Sequence, residues 1–469
     1  MSRESKLIKN TMIIAIGNIC TKCISFFMLP FYTSLLSTEE YGTVDLISTY
    51  VAFLSAILTL QFEQGVFRYL IEVRTDKDKQ VRYISTAMLS VICVAAIFVL
   101  ILTPILLALQ YRYWAQLIGW VAVAVLNSLL LQLPRGLGKN TVYAAASCIS
   151  GSLNVILNVI FIAVLHWSVN GMLIASIISL AMSGVYIFFR LKVFNYVKIS
   201  CYDKSNLIEL LKYSVPLIPN TLCWWVVNVS DRVVIRIFLG EAANGIYSAA
   251  CKFPSLFSMI SNIFQLSWTE SASENIEDKD KAIFFGKIIN QATRFYSSCN
   301  MGFIAILPFV FHILIKNDFT EAYWYIPILM TGALFHAVAD LYGSIYTALK
   351  ETKNIAKTTV LSAVVNIVIN VIFIAKIGLF AASISTFIAY LVITVIRYID
   401  IKKRIGVKLY IKYFLIELFI YIVVFASYYS GNRLFQICAL IVTVPYCVFQ
   451  NREVITGMAN NVKKKLKRL

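Results

Sequence analysis

The residues of this chain best placed to do chemistry are ionisable side chains inside long apolar stretches. Burying each of them in a membrane is costly, so each is expected to face a cavity or a partner. Five cations lie in such stretches, Lys22, Arg232, Arg236, Lys252 and Arg294, and Arg68 sits about one turn inside the edge of another. At ~1.5 Å rise per residue, Lys22 and Arg294 lie roughly 15–20 Å deep. Such a set suits an anionic ligand, and arginine offers a planar fork that fits phosphate oxygens. On the acidic side, Glu63 lies two turns inside its segment, and Asp340 follows His336 by four residues, so that pair shares a helix face. A His–Asp pair in a membrane is either a proton carrier, since histidine titrates near neutrality, or a hydrogen-bonded packing contact.

The remaining ionisable groups have plainer readings. Arg232 and Arg236 share a face near the outer end of their helix, and Arg236 is expected to snorkel to the interface. Asp231 and Lys252 lie at similar depth and form either a local ion pair or part of a functional set. His166 and His312 fall near the surface, and Glu417 reads as a packing contact. Cys20 and Cys23 have metal-like spacing but no second pair and no nearby histidine, so neither a metal nor a redox role is expected. No cofactor is implied, and no phosphate-binding G-x-x-x-x-G-K-[ST] loop occurs.

The elements that carry these residues are transmembrane helices. The chain is 59% hydrophobic with a mean hydropathy of +0.77, and only 14% of its residues are charged. Apolar segments long enough to cross a bilayer tile almost its whole length, which leaves no room for a soluble catalytic or ATPase domain. Hydropathy and breakers predict fourteen spans: residues 8–36, 44–69, 84–109, 114–133, 142–166, 172–191, 215–239, 246–268, 284–315, 322–349, 356–375, 379–399, 411–428 and 434–449. With both termini in the cytoplasm, Lys and Arg collect on the inside, at residues 3–9, 68–82, 135–139, 190–212, 279–287, 350–357, 397–412 and 452–468. Outside loops hold only Arg112, Lys316, Lys376 and Arg433. The net charge of +18 therefore reads as cytoplasmic loops meeting anionic lipid, with no call for nucleic acid.

The chain also repeats itself. Asn154–Ala163 (NVILNVIFIA) returns as Asn366–Ala375 (NIVINVIFIA), and Gly171–Ser179 is answered by Gly378–Thr386. Glu39–Leu46 likewise matches Ala242–Ala249, about two hundred residues on. A period of that size is a duplicated domain. It predicts a six-helix lobe at residues 1–195, a second at 196–405, and an extra helix pair with a basic tail at 406–469. Six helices per lobe, an even number, predict parallel repeats related by a pseudo-two-fold axis along the membrane normal. Pro30 in the first span and Pro216 with Pro219 in the seventh occupy similar places in the two halves, where bent helices are hinge candidates.

Several segments carry a family resemblance. Leu35–Leu46 (LLSTEEYGTVDL) followed by Phe62–Glu72 (FEQGVFRYLIE) resembles the opening of Wzx-type polysaccharide-export flippases, within the multidrug/oligosaccharidyl-lipid/polysaccharide superfamily. Tyr213–Leu222, Ser230–Ile235, Gly245–Pro254 and the N-x-x-x-N-x-x-F repeat are similar in the same way. The resemblance covers essentially the whole chain and implies fourteen helices. It also implies alternating-access flipping of undecaprenyl-pyrophosphate-linked oligosaccharide to the outer leaflet of the bacterial cytoplasmic membrane, for O-antigen or capsule. Energy would come from an ion gradient, and a polymerase and chain-length regulator would act alongside. In that light Lys22, Arg68, Arg232, Lys252 and Arg294 are the candidate substrate contacts, and Glu63, His336 and Asp340 the candidate coupling residues. A cation-coupled drug exporter of the superfamily is the alternative, and a lipid II flippase a further one. A membrane-bound glycosyltransferase would need a large outside loop, and none is expected.

Overall fold

In a computed structural model, which describes residues 26–407, 411–452 and 456, the chain is helical and the described residues contain no strand. It divides into two compact units, Met1–Gly245 and Ile246–Leu469. Ten helices among the described residues are long and apolar enough to cross a membrane, so this is a multi-pass membrane protein. The fourteen-span count stays an expectation: most of the first predicted span, with Lys22, Cys20 and Cys23, lies outside the described residues, and the helices over the predicted spans 215–239, 246–268 and 411–428 are not among the ten. The Lys463–Arg468 tail lies outside them as well.

The described part of the first unit opens with α1 (Leu29–Leu35), α2 (Thr38–Leu58), α3 (Phe62–Glu72) and α4 (Lys77–Ala108). It continues with α5 (Trp114–Gly136), α6 (Asn140–Asn158), α7 (Ser168–Leu191), α8 (Lys204–Ser214) and α9 (Ile218–Leu239). Next, α10 (Glu241–Ala250) spans the division between the units. The second unit carries α11 (Lys252–Glu274), α12 (Lys281–Leu314), α13 (Ile326–Ala348), α14 (Thr352–Ile377), α15 (Leu379–Ile405), α16 (Ile411–Ser430) and α17 (Arg433–Gln450). The division falls later than the repeat boundary expected near residue 195, since α9 packs along α2.

Helix starts follow local chemistry. At α2, Ser37 and Glu40 form a capping box, with the Glu40 amide donating to Ser37 Oγ (3.1 Å) and the Ser37 amide to Glu40 Oε2 (2.9 Å). Asp76 caps α4 and Asn432 caps α17. Gly378 joins α14 to α15 at φ +58°, ψ −139°, a conformation that needs glycine. Leu100, Ile101 and Leu107 stand exposed on α4, as expected of a face turned to lipid rather than water.

The repeated asparagines hold matching helix pairs together. In the first unit Asn154 Nδ2 of α6 donates to Ser176 and Ser179 of α7, both at 3.4 Å. In the second, Asn366 Nδ2 of α14 donates to Ser385 (3.5 Å) and Thr386 (3.2 Å) of α15. Ser179 and Thr386 are themselves repeat equivalents. Interhelical amide–hydroxyl bonds are a common device where no water competes. The two copies differ just beyond. Val159–Val164 forms a π-helical turn in the first unit, whereas the second copy stays α-helical to Ile377.

Three expectations need correction. The span predicted over residues 246–268 is interrupted at Cys251, between α10 and α11. The span predicted over residues 44–69 is not one helix: α2 ends at Leu58, and Leu60 and Gln61 take φ of +50° and +56° before α3 begins. Neither is glycine, so the break stores strain that no local sequence signal announces. Arg397, grouped with the cytoplasmic charges, is instead 1% exposed inside the second unit. The proline positions do coincide with local interruptions. The chain turns at Met28, before Pro30, and Val215–Leu217 forms a 3₁₀ turn between α8 and α9.

Candidate functional site: a polar seam and buried charges

In the first unit, Asp45, Thr49 and Phe53 repeat every four residues on α2 and so share one face. That face meets α9. Arg232 Nε donates to Asp45 Oδ2 at 2.7 Å, with the two side chains only 15% and 14% exposed. Deeper in, the Trp225 indole donates to the Thr49 carbonyl (3.3 Å) and its ring lies 4.7 Å from that of Phe53. Past the end of α2, the Thr221 hydroxyl donates to Gln61 Oε1 (3.3 Å), while Gln61 Nε2 donates to the Ala56 carbonyl (3.3 Å). The left-handed residue at the helix break is therefore held from both sides.

Immediately after the break comes Glu63, in the first turn of α3, where the helix dipole favours a carboxylate. Its carboxylate is supported by the Thr59 hydroxyl and its own backbone amide, while Oε2 is buried with no hydrogen-bond partner. A carboxylate with an open acceptor beside a discontinuous helix is equipped to take up a proton or a cation. Arg68, one and a half turns further along α3, is half-exposed and paired with Glu72 at 2.8 Å. Exposed i,i+4 pairs contribute little. Arg236 reaches Glu241 at 3.3 Å, near the end of its helix, where it was expected to snorkel.

In the second unit the expected His336–Asp340 pair is formed on α13, with Nδ1 3.7 Å from Oδ2. The His336 ring lies 4.6 Å from that of Tyr390 on α15. Around the same turn Gln265 of α11 donates to the Asp340 carbonyl and to Ser344 Oγ, both at 2.7 Å. Arg397 completes the cluster: its guanidinium donates to the Ala339 carbonyl (2.9 Å), Thr358 (3.1 Å) and Thr359 (3.4 Å), and it is attracted by the charge of Asp340. Sequence reasoning missed this residue. Its signal was the helical spacing from Tyr390, Ile393, Thr394 and Ile401, all buried.

Of the other predicted cations, Arg294 on α12 donates to the Asn290 carbonyl (3.3 Å) and lies within electrostatic reach of Glu417 on α16. Glu417 accepts from Gln450 Nε2 at 2.6 Å, in keeping with a packing role. Lys252, half-buried, is the first residue of α11. No group of three or more potential metal ligands occurs among the described residues.

A family model described as "Polysaccharide biosynthesis protein" matches residues 7–268, more than half of the chain. The chain belongs to this family. The chain is also similar to the "Probable low-salt glycan biosynthesis flippase" of Haloferax volcanii, at 23% identity over 207 residues. That match spans 44% of each chain, less than half the length of the relative. Two solved folds resemble this family member over most of their length. One is the lipid II flippase MurJ in its inward closed conformation (TM-score 0.67, 17% identity, 95% of this chain and 100% of that one). The other is an inward-facing MATE multidrug resistance transporter of the MOP superfamily (TM-score 0.67, 15% identity, 84% and 98%). The chain therefore shares the all-helical fold of these two proteins.

Proposed function

We propose that this protein is a flippase rather than an enzyme, and that it moves a lipid-linked oligosaccharide from the inner to the outer leaflet of the bacterial cytoplasmic membrane by alternating access. The family match, joined to a glycan flippase relative, is the observation that carries this reading. The lipid we assign is undecaprenyl pyrophosphate, whose negative charges suit Lys22, Arg68, Arg232, Lys252 and Arg294. The open acceptor of Glu63 and the His336–Asp340 pair support ion-gradient coupling. Both termini are assigned to the cytoplasm, and a polymerase and chain-length regulator would take the product onward to O-antigen or capsule.

Deleting the gene in its host and analysing lipid-linked intermediates with surface polysaccharide tests the reading. Complete repeat units trapped on the inner leaflet, with no surface polymer, are expected. Complementation with a Lys22→Ala, Arg294→Ala double variant that still inserts should restore export poorly. Unchanged polysaccharide with altered sensitivity to cationic drugs would instead favour a multidrug exporter, the reading that the MATE-like fold supports.

A further inference from the structure

The first unit carries a second polar feature, separate from the α2–α9 seam. A cavity of about 460 Å³ lies among α1, α5, α6 and α7. Its wall combines three aromatic rings, Tyr32, Trp120 and Tyr143, with the amides of Asn127 and Asn154 and the hydroxyl of Ser183. No Asp, Glu, Lys or Arg contributes to the lining described. Asn127 and Ser183 are 3% and 0% exposed, yet Asn127 Oδ1 and Ser183 Oγ have no hydrogen-bond partner. Most buried polar groups are satisfied; these two belong to residues that line the cavity, so a small rotation of either side chain would present an unmet acceptor to a ligand there. The volume far exceeds the ~30 Å³ share of a single water molecule.

The wall selects among ligands. Among the described lining residues an ion such as pyrophosphate would find no counter-charge, and desolvating it unpaired is prohibitive. A hydrocarbon would leave the amide and hydroxyl oxygens unmet. A neutral sugar satisfies both conditions, because its hydroxyls donate to open oxygens while its C–H face packs on aromatic rings. We propose that this cavity receives a neutral sugar unit of the transported glycan, with Asn127 and Ser183 accepting from its hydroxyls and Trp120, Tyr32 and Tyr143 packing against its ring. The inference rests on the flippase reading above and adds where the glycan, as distinct from the pyrophosphate, is recognised.

The test uses the full chain in nanodiscs and two probes: a short-chain polyprenyl pyrophosphate bearing a neutral disaccharide, and the same lipid without sugar. Trp120→Ala and Asn127→Leu should each weaken binding of the sugar-bearing lipid about tenfold and leave the sugarless lipid unchanged. Ser183→Ala, which removes only an unpartnered hydroxyl, guards against misfolding and should show a smaller loss of the same selectivity. Equal affinities across wild type and all three variants would overturn the sugar site while leaving the flippase reading intact. A wild-type chain that binds neither lipid would overturn both. A saturable response to sodium chloride that Asn127→Leu abolishes, without any sugar effect, would reassign the cavity to a cation.

Discussion

Gly42 and Gly245, equivalent positions of the internal repeat, lie directly against each other. A Cβ on Gly42 would fall 1.9 Å from the Glu241 carbonyl oxygen and 2.7 Å from the Gly245 nitrogen, and one on Gly245 would fall 1.9 Å from the Thr38 oxygen. Thr38 and Glu241 are separated by the same 203 positions as the two glycines, so the contact is reciprocal. Around it, Asn244 Nδ2 donates to the Gly42 carbonyl (2.8 Å) and the Thr43 hydroxyl to Glu241 Oε2 (2.7 Å). Backbones this close exclude any side chain, the small-residue logic of membrane helix crossings.

Gly42→Ala and Gly245→Ala should therefore each destabilise the protein by about 1–3 kcal/mol through overpacking. Because both overpack the same contact, and the shift forced by one makes room for the other, the double variant should cost less than the sum. Thermal midpoints of the purified protein measure this, and unchanged midpoints for both single variants would contradict the close approach.

The Arg232–Asp45 pair makes a different prediction. With both groups largely out of solvent, Asp45→Asn or Arg232→Gln alone removes the closest counter-charge of the other and should cost up to about 3–5 kcal/mol, reduced where residual solvent or other partners reach it. Replacing both by Leu and Met should recover much of that loss. A double-mutant cycle on thermal stability reads the coupling, and additive single effects would mean that the bond carries none.

How far these features were legible depends on how local their cause is. Apolar spans and the duplication are properties of contiguous sequence, and the repeated Asn154 and Asn366 found equivalent hydroxyl partners in both copies. His336 and Asp340 share a helix, so four-residue spacing was enough to pair them. Arg232 and Asp45 are 187 residues apart, and their pairing depends on the rotation of two helices that periodicity leaves open. The break at Leu60–Gln61 lacks glycine and proline, because tertiary contacts from Thr221 hold it rather than local propensity. Arg397 was misread because it sits near the end of its hydropathy window, where a buried and a snorkelling arginine look alike.

The asparagine bonds predict a modest effect in each unit. Asn154→Ala and Asn366→Ala should each cost about 0.6 kcal/mol and at most about 1.7 kcal/mol, the range for interhelical hydrogen bonds in membranes. Asn366 is fully buried and Asn154 is not, so the second-unit variant should be the more damaging. Thermal midpoints ranked in the opposite order would argue against burial as the determining factor.

Arg397 separates packing from function. Arg397→Ala opens a cavity in a fully buried position and should cost about 2–5 kcal/mol. Arg397→Met keeps most of the volume and removes the charge. Thr358 and Thr359 retain their own bonds to the Asn354 and Ile355 carbonyls, so the Met variant should stay within about 1.5 kcal/mol of wild type. Gly343→Ala provides an independent probe, since its Cβ would press on Arg397 Nη1 at 3.0 Å. If Arg397 serves only as a brace, the Met variant should translocate lipid-linked glycan normally in proteoliposomes. If its field governs the His336–Asp340 pair, the same stable variant should lose gradient-driven transport while still binding its lipid. Those two results assign the arginine to architecture or to coupling, and the stability measurement on the same preparation keeps the choice free of folding defects.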